Sequence, residues 1–275
     1  MLAALLITLR EGLEAALIVG IVLGVLRKLG RADRGRVVWA GVVAAVIVSL
    51  AFGLGLNALG IAFEGRGEEV FEGIAMLLAA GVLTWMVFWM QHQGRQVQLG
   101  LEREAREAVA GNDARMLFGL AFVAVVREGI ETALFLTAAA FSATTTQTLI
   151  GGALGLFGAV ALGWIVFVGG RQLDVRAFFR ATGFLLILFA AGLLAHGLHE
   201  LQEAALLPII VEHVWDINPI LSEKSVVGSL LKALFDYNGN PSLLEVVSYV
   251  GYFAAIWMVG QRNRRTSARI ASAAP

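Results

Sequence analysis

Seven stretches of this chain stay apolar for long enough to cross a bilayer, whose ~30 Å hydrocarbon core takes about 20 helical residues to span. They lie near 2–26, 37–60, 70–90, 116–140, 149–169, 182–207 and 244–260. The runs are continuous and do not alternate, so helices are expected, not a barrel. Only 15% of the 275 residues are charged, and mean hydropathy is +0.78. A soluble domain carries about 25%. The expectation is an all-α, polytopic membrane protein, one transmembrane domain over 1–275. The first run is read as a retained helix, because Arg10 and Glu11 interrupt it where a cleaved signal is purely apolar. With no cysteine, thiolate metal sites and disulfides are excluded.

Basic residues orient the spans. The loops after spans one, three and five and the tail hold sixteen basic and six acidic residues. The alternate loops hold three basic and eleven acidic ones. This places the N-terminus outside and the C-terminus in the cytoplasm. Spans one and four then cross in opposite directions. Spans one to three and four to six read as an inverted 3+3 repeat, followed by a seventh helix.

Two of the runs carry charge at mid-span. Arg10-Glu11-Gly12-Leu13-Glu14 lies in the first and Arg127-Glu128-Gly129-Ile130-Glu131 in the fourth. Each charge at the bilayer centre costs roughly 2.5–3.5 kcal/mol on insertion scales. On a helix the two glutamates of each motif are three apart and share a face, and each arginine reaches the glutamate four residues on. The glycine between them lets a neighbour approach the backbone. If the two spans meet, four carboxylates and two guanidinium groups converge with a net charge of minus two. Glu11, Glu14, Glu128 and Glu131 are therefore the candidate metal ligands, with Arg10 and Arg127 as supporting charge. An all-oxygen anionic set suits hard cations: ferric or ferrous iron, manganese, calcium or magnesium.

Other features are less specific. Glu69, Glu72, His196, His199, Glu200 and Glu203 form a possible outer entry face, or simply mark the water interface. Thr84 to Met90, rich in tryptophan and methionine, reads as packing and interface. His92 and His213 read as surface residues. Gly151, Gly152, Gly155 and Gly158 recur at the spacing of close helix contacts. Residues 93–110 read as a polar surface helix, 226–235 as a short amphipathic helix, and 236–241 as a turn.

At the two motifs the sequence resembles the iron/lead transporter family, high-affinity iron permeases with a repeated R-E-x-x-E motif. The resemblance extends to Glu72-Gly73-Ile74, Leu83-Thr84-Trp85-Met86 and Tyr237-Asn238-Gly239-Asn240-Pro241-Ser242. It implies seven spans and import of iron across a bacterial cytoplasmic (inner) membrane, through Glu11, Glu14, Glu128 and Glu131. It also implies ferric iron handed over by a separate extracytoplasmic ferroxidase or iron-delivery protein. Iron is then the substrate; no permanent cofactor, enzymatic activity or nucleic-acid partner is expected, and lipid is the surrounding medium. The competing readings are a permease for another hard divalent ion such as manganese, a membrane redox protein with haem on the histidines, and a structural subunit.

Overall fold

The structure, a computed structural model, describes residues 1–141, 144–167, 174–223, 225–235 and 237–273. Within helices, the side chains of 91–95, 97, 226, 230, 233–235 and 262–273 lie outside the description. The expectations placed on His92, Arg95, Gly169, Arg171, Lys224, Asp236 and the tail arginines fall among these. The described residues form no strand. The elements are α1 (Leu2–Lys28), a 3₁₀ turn (Ala32–Arg34), α2 (Gly35–Ala62), α3 (Arg66–Ala110) and α4 (Ala114–Phe141). They continue with α5 (Thr145–Phe167), α6 (Val175–Glu203), α7 (Val226–Phe235) and α8 (Leu243–Ala273).

Among the described residues, five segments combine the length and apolarity of membrane spans: Ala32–Ala62, Arg66–Met90, Thr145–Phe167, Val175–Glu203 and Leu243–Gln261. The helices α1 and α4, of 27 and 28 residues, are as long. At ~1.5 Å per residue each is about 40 Å, but each carries three mid-helix charges. Leu50, Leu54, Phe157 and Val160 on α2 and α5 are among many large apolar side chains left exposed. A surface of this kind is stable against lipid and not against water. The protein is a multi-pass membrane protein.

The sixth helix starts earlier than the apolar run suggested, because Asp174 caps it by accepting a hydrogen bond from Ala177 N at 3.0 Å. Arg176 and Arg180 thereby join α6 and not a loop. The expected surface helix at 93–110 is present and mostly exposed, and it is the end of α3, one continuous helix of 45 residues. Ala105 and Ala108, small residues three apart, bury against α1, α2 and α4, while Arg103 and Glu107 pair at 2.8 Å on an exposed side. The short helix α7 matches its expected range end to end.

The helices pair most extensively as α1 with α5, α2 with α4, α3 with α6, and α1 with α4. Exchanging the first three helices for the next three leaves this pattern unchanged. Glycines set the closest approaches. A Cβ on Gly41 of α2 would lie 2.6 Å from the Phe118 carbonyl oxygen of α4. One on Gly155 of α5 would meet the Leu5 carbonyl and Thr8 hydroxyl of α1. Two apolar clusters result. One gathers Ala3 and Ile7 of α1, Phe135 and Ala138 of α4, and parts of α3 and α6. The other gathers Val19, Val22 and Val25 of α1, Leu117, Ala121 and Val125 of α4, and residues of α2 and α3. The start of α1 thus packs with the end of α4, so the two run antiparallel. Both charged motifs lie in the layer between the clusters.

The last spanning helix begins with a reciprocal cap. Ser242 Oγ accepts from Glu245 N at 3.3 Å, and Glu245 Oε2 accepts from Ser242 N at 2.6 Å. Ser242 Oγ also donates to Gln202 Oε1 at 2.9 Å, joining α8 to α6. Ser242→Ala is expected to cost about 1 kcal/mol, from the lost cap and the orphaned Gln202 oxygen. A thermal-unfolding midpoint in detergent unchanged from the parent would contradict this.

Candidate metal centre

The motif glycines place α1 and α4 against their neighbours. A Cβ on Gly12 would lie 2.8 Å from Ala159 Cβ of α5, and one on Gly129 would lie 2.6 Å from Ser49 Cβ of α2. With the glycine faces turned to those helices, the glutamate faces of α1 and α4 turn to each other. Carboxylate oxygens of Glu11, Glu128 and Glu131 lie within 4.8 Å of one another. Among the described residues these form the one trio of potential ligands so placed. All three are buried, Glu11 to 1% exposure. Neither Glu11 oxygen has a hydrogen-bond partner, nor do Glu128 Oε2 and Glu131 Oε2. Three carboxylates this close and this dry repel one another strongly, and an uncompensated buried charge costs several kcal/mol. The arrangement suits a multivalent cation with oxygen ligands.

The arginines pair as their spacing predicts. Arg10 Nε donates to Glu14 Oε1 at 3.0 Å, and Arg127 Nε to Glu131 Oε1 at 2.9 Å. The halves differ, however. Glu131 both pairs with its arginine and joins the trio, whereas Glu14 pairs with Arg10 and stands outside it.

The helix α3 forms a third wall. Arg10 Nη2 lies 3.2 Å from Met90 Sδ, and the Arg127 guanidinium carbon sits 4.7 Å from the Trp89 ring centre and 5.9 Å from that of Trp85. Phe179 of α6 adds a ring 6.0 Å from the Arg10 guanidinium. Read along the sequence, Trp85, Trp89 and Met90 look like packing. Cation–π contact is invisible there, because an arginine and its ring share no periodicity. Thr84 in the same stretch contacts the Tyr252 hydroxyl of α8 at 2.7 Å.

The second candidate group divides in two. Glu72 of α3 interacts with His196, Glu200 and Glu68, and His196 Nε2 lies 3.2 Å from Glu200 Oε1. His199 instead bridges Glu203 at 3.3 Å and Glu245 at 3.4 Å. Glu245 also accepts from Asn238 Nδ2 at 2.9 Å. Glu69 is partly buried on the turn before Glu72. A Cβ on Gly73 would lie 2.8 Å from the Gly197 carbonyl oxygen, so α3 and α6 cross closely beside this group. Glu245 was missed from the sequence; the capping-box spacing of Ser242-Leu243-Leu244-Glu245 could have found it, whereas nothing local signals its partnership with His199. The rings of His196 and His199 are 6.4 Å apart on one helix, not opposed across two helices as a haem requires. His213 is exposed beside Glu212, as expected.

Residues 1–261 match the model of the iron permease FTR1 family. Among curated proteins, the chain is similar to the ferrous iron permease EfeU of Escherichia coli O6:K15:H31 (strain 536 / UPEC), 37% identical over 264 residues. That match covers 94% of this chain and 92% of the relative. The ferrous iron permease EfeU of Yersinia pestis is 35% identical over 254 residues, covering 92% and 90%. No solved structure matches. The chain therefore belongs to the FTR1 family of iron permeases.

Proposed function

We propose that this membrane permease carries iron through the carboxylate cluster between α1 and α4. Glu11, Glu128 and Glu131 hold the ion, and Glu14 is the fourth carboxylate of the wall, tied to Arg10 in this structure. The observation that carries this reading is Glu11, fully buried with both oxygens unpartnered and two further carboxylates within 4.8 Å. A purely structural ion pair leaves no such surplus.

Seven spans, with α1 and α4 crossing in opposite directions, complete the proposal. The exchange symmetry of helix pairing supports an inverted 3+3 repeat. The excess of basic residues in alternate loops supports an outer N-terminus, a cytoplasmic C-terminus and a place in a bacterial inner membrane. The ion enters past Glu72, His196 and Glu200, where a separate delivery protein would meet the acidic outer end. The trio, offset by Arg127 alone because Glu14 cancels Arg10, carries two negative charges. That charge accommodates either valence, and the ferrous iron in the relatives' names favours Fe(II) over the ferric ion expected from the resemblance.

Reconstituted in proteoliposomes, the full chain is expected to take up radioiron supplied as Fe(II) under reductant, faster than protein-free vesicles and with weaker competition from Mn(II). Uptake no faster than in protein-free vesicles would refute iron transport. Stronger competition by Mn(II) would reassign the substrate.

A further inference from the structure

The two motif arginines are not equivalent. Arg10 is 2% exposed and enclosed by Glu14 of its own helix, Met90 of α3 and Phe179 of α6. Its charge is cancelled by Glu14, which is not in the trio. Arg127 is 38% exposed, and among the described residues its one hydrogen-bonding partner is Glu131, a member of the trio. It also lies over two ring faces. Trp89 lies at 4.7 Å, and Trp85 stacks on Trp89 with centroids 6.0 Å apart and planes 27° apart. A rotamer-rich side chain held by one ion pair at a half-open position would wander. A tryptophan face is the strongest aromatic seat for a guanidinium, and it leaves the charge intact.

We propose that Trp89 is a positioning residue that seats Arg127 beside Glu11, Glu128 and Glu131, and that the seated guanidinium shifts the cluster's selectivity away from trivalent and toward divalent ions. The inference rests on the cation site proposed above. Three carboxylates and one guanidinium sum to minus two, so a divalent ion brings the site to neutrality and a trivalent ion leaves it positive in a buried layer. A unit charge roughly 6 Å from the ion, at an effective dielectric constant of about 20, weakens binding by roughly a hundredfold per unit of ion charge. The third charge of a trivalent ion meets that penalty once more than a divalent ion does. Without its seat, Arg127 spends part of its time further from the cluster, and the discrimination shrinks.

The test is equilibrium binding of Mn(II) and of Ga(III), supplied as citrate, to the purified full chain in lipid nanodiscs. Neither ion changes valence in the assay, and the ratio of the two affinities is insensitive to the folded fraction. The parent's ratio of Mn(II) to Ga(III) affinity is the reference. Trp89→Leu should move the ratio toward gallium by about tenfold, a part of the full Coulombic effect, and Trp89→Phe should restore most of it. Arg127→Gln should move it by on the order of a hundredfold, and adding Trp89→Leu to that variant should change nothing further.

An unchanged ratio in Trp89→Leu, with both ions still bound, overturns the inference. So does a Trp89→Leu shift that persists without Arg127, or loss of both ions on removing Arg127. Binding of neither ion by the parent overturns the cation site itself, a distinguishable failure.

Discussion

Glu11→Gln is expected to bring iron uptake in proteoliposomes to background while the protein still inserts and folds. The side chain keeps its size, so the packed layer between the two apolar clusters is preserved. What disappears is the one carboxylate of the trio with both oxygens free to bind. Loss of an outer-shell partner typically lowers metal affinity about 10–100-fold. Loss of a charged inner ligand is expected to exceed that. Uptake within a factor of two of the parent would remove Glu11 from the ion's path. Glu14→Gln should also lose uptake, for another reason. It leaves Arg10 buried without its counter-charge, and the nearest carboxylates are those of the trio. If Glu14 serves as the partner of Arg10, adding Arg10→Gln restores uptake in part. If Glu14 is itself a ligand, the double variant stays inactive.

Gly155→Val is expected to be the most damaging single change to the fold. A Cβ there would lie 2.9 Å from Leu9 N and still closer to the Leu5 carbonyl and the Thr8 hydroxyl. The backbone groups among these cannot rotate away, so α1 must leave α5. Overpacking typically costs about 1–3 kcal/mol and occasionally more, and the upper end is expected where backbone is struck. Because α1 carries Glu11, iron binding should fall together with the thermal midpoint. Gly24→Ala is the control. Nothing lies within 4 Å of its Cβ position. Helix propensity alone should leave it neutral or up to about 1 kcal/mol more stable. Equal midpoints for the two variants in detergent would mean that the α1–α5 contact is looser than the structure places it.

Much of the architecture was legible because its signals are local. An apolar run of about 20 residues has few choices but a spanning helix, and α7 appeared in the range its pattern indicated. The spacing of Arg10, Glu11 and Glu14, and of their counterparts from Arg127, predicted the ion pairs now seen at 3.0 and 2.9 Å. The glycine row of α5 announced a close neighbour but not which one. The polar stretch 93–110 is helical and mostly exposed, as its charge pattern indicated, but its continuity with α3 and the burial of Ala105 and Ala108 were not legible, because two alanines that bury look no different from two that do not.

By itself the sequence determined that this protein lives in a membrane, that its charges repeat at mid-helix, and that those charges include carboxylates of the type hard cations take. Each follows from composition or from spacing along one helix, where periodicity turns position into direction. Only the tertiary structure decided that Glu11 meets Glu128 and Glu131, and that Glu14 is held aside by Arg10. It also decided that α3 brings Met90 to one arginine and Trp89 to the other. Those distinctions depend on how α1, α3 and α4 cross. The crossing is set by glycine contacts between residues far apart in the chain, which no local pattern encodes.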